Sequence, residues 1–298
     1  MTHRTWTIKE ILTVTAEFLR EKHIESPRLC AEVLLSLELR KTRVELYLSF
    51  DQPLGDSEVA QYRALVKRRL NREPLQYITG RQEFWSLEFL VNPSVLVPRP
   101  ETEILVEEAL RLKQTKQLPQ GSDNQTRILD LGTGSGAIAV SLAKEMEDAA
   151  FWATDISAEA LAIARENAER HAVFGKITFC QGDLFQALEQ PAPVFDMIIS
   201  NPPYIASDAF ETLPEEVREY EPRIALDGHE KGMYFIERII VGAENYLKPG
   251  GWLLIEMDPD ETDQALALIE GTRSFYCQER LMDYHKNYRM IKAQKRDG

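Results

Sequence analysis

Apolar and polar residues follow two different rhythms along this chain. Over the first 75 positions the apolar residues recur every three or four. "TIKEILTVTAEFLREK" places Ile8, Ile11, Leu12, Val14, Phe18 and Leu19 at helical spacing. Thr7 ahead of them, with Glu10 three residues on, is a capping-box start. "SPRLCAEVLLSLEL" opens with Ser26 and a proline at the first helical position, where a missing N–H costs nothing. "DSEVAQYRALVKRRLNR" is a further amphipathic helix beginning near Asp56 or Ser57. Joined by short loops, these segments predict a small helical bundle.

At Pro74 the texture changes. "PLQYITGRQEFWSLEFLVNPSVLVPRPETE" is rich in aromatic and β-branched residues and broken by Gly80 and Pro93. It predicts a hairpin that sets the Tyr77–Thr79 region against Leu87–Val91. Helical spacing resumes at Glu101 in "ETEILVEEALRLKQ", and the polar "TKQLPQGSDNQT" at 115–126 predicts a surface loop. Beyond it, apolar runs alternate with helical patterns. Strands are predicted at "RILDLG", "AFWATDIS", "ITFCQGD", "VFDMIISN", "GWLLIEM", "FYCQERLMD" and "NYRMIKAQ". Helices are predicted through Ile138–Lys144 and at "AEALAIARENAERH", "GMYFIERIIVGAENYL" and "ETDQALALIE". This alternation predicts an α/β fold, a doubly wound sheet with helices on both faces, whose strand order periodicity leaves open. The expected organisation is a helical domain over 1–75, a β-hairpin linker over 76–100 and an α/β domain over 101–298.

Composition narrows this little and charge somewhat more. The 298 residues are 44% hydrophobic and 28% charged, as in a soluble globular protein. No run of 18 apolar residues predicts a membrane span, and "MTHRTWTIKEILTV" lacks the apolar core of a signal peptide. Cys30, Cys180 and Cys277 form no close pair, which speaks against a disulfide framework or a cysteine zinc site and suits a reducing cytoplasm. The net charge of -13 is uneven: residues 1–95 hold 14 Lys+Arg against 13 Asp+Glu, so the remainder is strongly acidic. An acidic protein is a poor general gripper of nucleic acid. The local basic run "KRRLNR" at 67–72 reads as the solvated face of a helix, or alternatively as a face turned to an anionic partner.

The candidate chemistry lies where predicted strands end. "DLGTGSGAIAV" sets Gly132, Gly134 and Gly136 between a strand and its helix, where glycines allow tight turns and close approach of a ligand. Asp155 closes the next strand and is placed to accept from ribose hydroxyls, or else to cap a helix beside Ser157. The glycine spacing is not G-x-G-x-x-G, and no G-x-x-x-x-G-K-[ST] loop occurs, so a cofactor without a phosphate chain, such as S-adenosylmethionine, fits better. Asp183 in "QGDLF" is a candidate for an adenine amino group, with Leu184 or Phe185 against the ring; its alternative is a helix cap.

"IISNPPYI" ends a strand on Asn201, and Pro202 and Pro203 cannot continue its ladder. The Asn201 side-chain oxygen and the Pro202 carbonyl are two acceptors on a stiff frame, matched to the two donors of a planar NH2 group. Tyr204 is placed to flank that group. Two accepted hydrogen bonds return electron density to a delocalised nitrogen, so the constellation suits amino methyl transfer and leaves the acceptor open.

Taken together, "DLGTGSG", "TDIS", "GDLF" and "NPPYI" resemble the class I S-adenosylmethionine-dependent methyltransferases of planar nitrogens. "EPLQYITG", "VPRPETE" and "EPRIALDG" narrow the resemblance to the PrmC/HemK family, over nearly the whole chain. That resemblance implies a seven-stranded class I methyltransferase sheet with its last strand antiparallel. It implies methylation of the glutamine amide in the Gly-Gly-Gln motif of class 1 peptide chain release factors, S-adenosylhomocysteine as product, no metal, and a cytoplasmic monomer. It assigns Asn201, Pro202 and Tyr204 to catalysis. Gly132, Gly134 and Gly136 would line the cofactor, Asp155 its ribose, and Asp183 and Leu184 its adenine, with Asp130, Thr133, Ile156 and Asn201 on the same side. Pro98, Arg99, Pro100, Thr102 and Pro203 would shape the substrate pocket with the NPPY turn. The helical domain would help to hold the release factor. Two departures stand out: Asp258 and Glu261 occupy places where the family has Gly and Gln, and Lys286 replaces a Gly between Asp283 and Arg289. The competing readings are an adenine-N6 nucleic-acid methyltransferase and a cofactor-binding module that has lost transfer. The first calls for positive surface, which the acidic second half does not offer; the intact Asn201–Tyr204 stretch speaks against the second.

Overall fold

The computed structural model describes residues 5–119 and 125–297, so part of the loop expected at 115–126 lies outside the described residues. The chain divides into two compact units, one of residues up to Gly80 with Glu215–Tyr220, the other of Arg81–Pro214 with Glu221 onward.

The first unit is helical. Helix α1 (Ile8–Glu21) starts at the expected capping box, Thr7 and Glu10 bonding reciprocally. Its Ile8, Ile11, Leu12 and Leu19 are buried, whereas Val14 and Phe18 point outward. Helix α2 (Pro27–Leu39) begins at its proline, although the Ser26 side chain makes no capping bond. A short α3 (Arg43–Leu48), absent from the sequence expectation, is started by a second capping box at Thr42 and Glu45. Helices α4 (Asp56–Leu70) and α5 (Leu75–Thr79) follow. Tyr77–Thr79 is therefore helix rather than the strand its composition predicts. Pro74 supplies the extended entry, and Gly80 ends the turn at φ 72°, a conformation that glycine adopts without a Cβ clash.

The basic run 67–72 is solvated at Lys67, Arg68 and Asn71 but not throughout. Arg69 is buried; it bonds Glu216 at 2.6 Å and the Glu73 carbonyl at 3.0 Å. Arg68 pairs with Glu73 at 2.5 Å, and the Tyr220 hydroxyl donates to the Asn71 carbonyl at 2.6 Å. The run thus holds Glu215–Tyr220, a segment about 145 positions further along the chain.

In the second unit, the hairpin is β1 (Arg81–Phe84) against β2 (Leu87–Leu90), with Arg81 opposite Leu90. Helix α6 (Glu103–Gln114) leads to β3 (Thr126–Leu131), α7 (Ala137–Glu145), β4 (Ala149–Asp155), α8 (Ala158–Arg170), β5 (Ile177–Gln181) and β6 (Phe195–Ser200). After the excursion through α9 (Glu215–Tyr220) come α10 (Tyr234–Tyr246), β7 (Leu247–Glu256), α11 (Thr262–Thr272), β8 (Phe275–Met282) and β9 (Tyr288–Lys295). The seven strands β3–β9 run in the order β5-β4-β3-β6-β7-β9-β8, all parallel except β9. This is the class I methyltransferase sheet. Successive residues alternate between its faces. Ile128, Met197, Ile199 and Leu254 join the core beneath the hairpin, α6 and α7; Leu129, Ile198, Leu253 and Ile255 join the core beneath α10 and α11. Both faces are covered, so the central strands read as unbroken apolar runs.

The chain moves outward from β3 through β4 to β5, then returns to lay β6 on the other side of β3. The reversal opens a crevice at the carboxyl ends of β3 and β6, the usual ligand position in an open α/β sheet.

The two arginines of the basic run separate by burial. Arg69→Glu places a buried carboxylate beside the partly exposed Glu216 and should cost about 3 kcal/mol or more, as an uncompensated buried charge does. Arg68→Glu, at a half-exposed position, should cost about 1 kcal/mol or less. Denaturant unfolding of both variants checks this; equal, small losses would remove the clamp assigned to Arg69.

Candidate active site

Register brings the motifs together. Leu131 of β3 pairs with Ser200 of β6 and with Thr154 of β4, so Gly132, Asn201 and Asp155 leave three neighbouring strands at one edge. The Ser200 hydroxyl donates to the Leu131 carbonyl at 2.7 Å, fastening the two strand ends.

The loop after β3 needs its glycines. Gly132 and Gly134 have φ of 72° and 55°, and a Cβ on either would meet nothing within 4 Å, so both turn bare backbone toward open space. Gly136 is glycine for another reason: a Cβ there would sit 3.2 Å from that of Ala164 on α8. Asp155 holds the loop, its Oδ2 accepting from the Gly134 N–H and its Oδ1 from the Ser157 N–H, both at 2.9 Å. Burial nevertheless raises its pKa, opposed by those N–H groups. Asp130 is buried below the loop and pushed up to about 7 by burial, although the Thr133 hydroxyl donates to it at 2.7 Å. Asn167 of α8, fully buried, bonds both the N–H and the carbonyl of Leu90 and donates to the Ser135 carbonyl at 2.9 Å, tying the hairpin to the glycine loop.

Asn201 is anchored from the "VPRPETE" segment: its Nδ2 donates to Thr102 Oγ1 at 2.9 Å. Its Oδ1 accepts no hydrogen bond among the described residues, and Asn201 lines the cavity. Glu221 of "EPRIALDG" pins the same segment, accepting from Arg99 at 2.6 Å and from the Val97 N–H at 3.2 Å while almost wholly buried. The Tyr204 hydroxyl lies 3.4 Å from Glu256 Oε1, and burial drives its pKa upward. Ile205 pairs with Asp227, and a Cβ on Gly228 would come within 2.8 Å of the Tyr204 Cα. The motifs at 97–103, 201–205 and 221–228 therefore form one bonded assembly.

At the first departure, Asp258 caps the turn Pro259–Glu261, and Glu261 Oε2 accepts from the Asp258 N–H at 3.1 Å. Glu261 is buried against Gly232, and burial with Asp258 and Asp260 nearby lifts it to about 8. At the second, Lys286 takes a left-handed φ of 67°, and the loop closes on Asp283, which accepts from the His285 and Asn287 N–H groups.

A cavity of about 390 Å³ opens along this edge. Of the residues singled out by sequence, Gly132, Thr133, Gly134, Asp155, Ile156, Asp183 and Leu184 line it at one side, and Pro98, Arg99, Thr102, Asn201 and Pro203 at another. Asp130, Gly136, Pro100, Pro202 and Tyr204 do not line it, and Pro100 is exposed. Asp183 stands at the N-cap of the short turn Leu184–Ala187 without a side-chain capping bond; its carboxylate accepts from Arg238 of α10 at 2.7 Å, and that guanidinium lies over the Tyr234 ring. Sequence reasoning missed Asn167 and Arg238, together with His229 and Phe235 on the wall, and gave Glu221 and Glu256 no role of their own. Only Asn167, a polar residue on the apolar face of a helix, carried a signal that periodicity could have flagged.

Residues 10–80 match the PrmC N-terminal domain, and residues 122–295 a methyltransferase domain. The chain is 46% identical over 272 residues to a release factor glutamine methyltransferase of Geobacter sulfurreducens, covering 91% of each chain. It is 39% identical to a release factor glutamine methyltransferase of Chlorobaculum tepidum, covering 95% of each. Among solved structures, the catalytic domain of human METTL16 in complex with an RNA hairpin superposes with a TM-score of 0.54 at 14% identity, covering 81% of this chain and 82% of that one. A methyltransferase from Pyrococcus furiosus does so with a TM-score of 0.50 at 18% identity, covering 80% and 99%. These likenesses show the fold.

Glu261 gives stability a pH dependence. Its folded-state pKa lies above the ordinary carboxylate value, so the folded protein keeps a proton that the unfolded chain releases. The group's contribution is full below about pH 4 and is lost as pH rises through about 8. Glu261→Gln keeps the acceptor for Asp258 and cannot ionise. Its melting temperature should match the wild type near pH 4, and should exceed it by a few degrees at pH 9. Parallel melting curves at every pH would contradict the buried, protonated carboxyl.

Proposed function

The chain belongs to the release factor glutamine methyltransferase family, and from that premise we propose how its cavity performs S-adenosylmethionine-dependent methylation of a release-factor glutamine amide. The observation that carries the proposal is the anchoring of Asn201. With Nδ2 bonded to Thr102, Oδ1 is left as an acceptor on a residue that lines the same cavity as the glycine loop.

The cofactor's fit rests on the loop. Gly132 and Gly134 present bare backbone where any side chain would intrude, and Asp155, without an ion pair among the described residues, offers its remaining lone pairs beside them. These residues would hold the nucleoside end of S-adenosylmethionine, with Ile156, Leu184 and Asp183 around the base and Thr133 on the loop between the glycines. Asp130 supports from below through Thr133. When bound, S-adenosylmethionine supplies an electrophilic methyl group on a sulfonium.

The protein's own task is the amide. The nitrogen of a glutamine side chain is a weak nucleophile because its lone pair is shared with the carbonyl. Asn201 Oδ1 and the Pro202 carbonyl accept its two N–H groups, raising its electron density and fixing its direction. Pro203 stiffens the turn, and Tyr204 packs beside the planar group from its anchor on Glu256. Pro98, Arg99, Pro100 and Thr102 shape the approach, with Arg99 held in place by Glu221. As the N–C bond forms, the nitrogen becomes positive and then loses a proton, so no strong base is needed beside it. The substrate we assign is the glutamine of the Gly-Gly-Gln motif in class 1 peptide chain release factors, methylated at N5 in the cytoplasm. The helical unit is the part we assign to holding the factor.

Asn201→Ala deletes the acceptor and leaves the glycine loop intact. Cofactor affinity by calorimetry should be unchanged, while the single-turnover rate with saturating cofactor and release factor should fall by roughly 10² to 10³, the scale of losing one aimed polar group. A near wild-type rate would return "NPPY" to being a stiff turn.

A further inference from the structure

We propose that Arg238 of α10 is the positioning residue that aims Asp183 at the exocyclic amino group of the cofactor's adenine, and so sets a preference for adenine over a base with a 6-oxo group. The inference rests on the place given above to Asp183 beside the base. Asp183 lies two residues beyond β5, at the start of the turn Leu184–Ala187, and its side chain makes no capping bond there. A short carboxylate on a turn has several directions open to it. The partner that chooses one is Arg238, whose Nη2 donates to Oδ2 at 2.7 Å. Oδ1 accepts no hydrogen bond among the described residues, and Asp183 lines the cavity.

Arg238 is itself held, and by the helix that also seats the turn. Tyr234, Arg238, Gly242 and Tyr246 recur every four residues and form one ridge of α10. The Arg238 guanidinium lies 5.2 Å from the centre of the Tyr234 ring and 6.0 Å from that of Phe235. Phe185, two residues past Asp183, stacks on Tyr246 with ring centres 4.6 Å apart. A Cβ on Gly242 would come 2.3 Å from the Phe185 ring, so glycine is what admits that ring. The turn is therefore fixed to one ridge at two points, by ring packing at Phe185 and by charge at Asp183. Its own backbone is equally constrained: Leu184 takes a left-handed φ of 49°, and a Cβ on Gly182 would come within 2.8 Å of the Ala187 Cα.

Donors and acceptors supply the selectivity. Adenine carries an NH2 donor at its six position, where hypoxanthine carries an oxygen and, beside it, an N–H on the ring. A carboxylate only accepts. Asp183 Oδ1 therefore attracts the first base and repels the oxygen of the second. A carboxylate without its anchor can turn from that oxygen to the neighbouring ring N–H; one bonded to Arg238 is kept from doing so. The side chains of the ion pair are 29% and 34% exposed, so it contributes little to folding. Its effect lies in the direction of the carboxylate.

Calorimetry of the full chain with S-adenosylhomocysteine, and with its hypoxanthine counterpart S-inosylhomocysteine, reads this without turnover. The wild type should bind the adenine compound about 10-fold to 100-fold more tightly, the scale of one charge-assisted hydrogen bond. Arg238→Met keeps an apolar stem against Tyr234 and removes the anchor. It should weaken the adenine compound about fivefold to tenfold and leave the hypoxanthine compound as tight or tighter. Arg238→Lys restores the charge and should recover most of the lost preference. Both variants should melt within about 3 °C of the wild type. Equal weakening of both compounds by Arg238→Met would mark a merely structural role, and an unchanged preference would mark none; either result overturns the proposal. Asp183→Asn separates the levels. If it abolishes the preference while Arg238→Met keeps it, only the positioning role falls; if it leaves the preference intact, the place of Asp183 at the base falls first. A wild type that binds neither compound would remove the cofactor reading itself.

Discussion

The parallel pairing of Leu131 with Ser200 is the constraint on which the site depends. It exists because the chain, having built β4 and β5 on one side of β3, returns to place β6 on the other. Two loops that follow these strands are thereby forced to leave side by side. One must expose bare backbone and so carries glycines with positive φ; the other must be stiff and so carries two prolines. A slip of one residue in this register would turn every side chain of β6 to the opposite face of the sheet and carry Asn201 away from the cavity. The buried Ser200–Leu131 bond and two covered faces of apolar residues work against such a slip.

Around that edge the polar groups form a connected set rather than a collection of contacts. Asn201 leans on Thr102, and Glu256 meets Tyr204. Glu221 fixes the segment carrying Thr102 through Arg99 and the Val97 N–H. Gly228 and Gly232 let the backbone of the 221–232 stretch press against that of Tyr204, where any Cβ would collide. Buried groups joined in this way specify one arrangement strongly when every member is satisfied, and are costly when one is removed.

Much of this was legible in the sequence, and the unread parts share a cause. Glycines at a strand end, a carboxylate closing the next strand and a double proline after a third each declare themselves within a few residues, because the backbone geometry they permit is local. The Thr7 capping box and the helix start at Pro27 were readable for the same reason. What stayed hidden depends on partners far away in sequence. Arg69 lies in a run that looks solvated, and only Glu216, 147 positions on, makes it a buried anchor. Asn167 serves a hairpin and a loop at once. Glu256 and Glu261 look like ordinary acidic residues until the sheet closes over them. Tyr77–Thr79 failed in the other direction: residues that favour strands were overruled by a proline entry and a glycine exit one turn apart.

The central claim is that Asn201 presents its oxygen, not its NH2, to the substrate nitrogen. A crystal structure with S-adenosylhomocysteine and a Gly-Gly-Gln peptide tests it most directly. The account predicts the glutamine nitrogen at about 2.7–3.2 Å from both Asn201 Oδ1 and the Pro202 carbonyl, with Nδ2 still on Thr102. A glutamine amide seated away from these two oxygens, or an Asn201 amide turned so that Nδ2 faces the peptide, would contradict it.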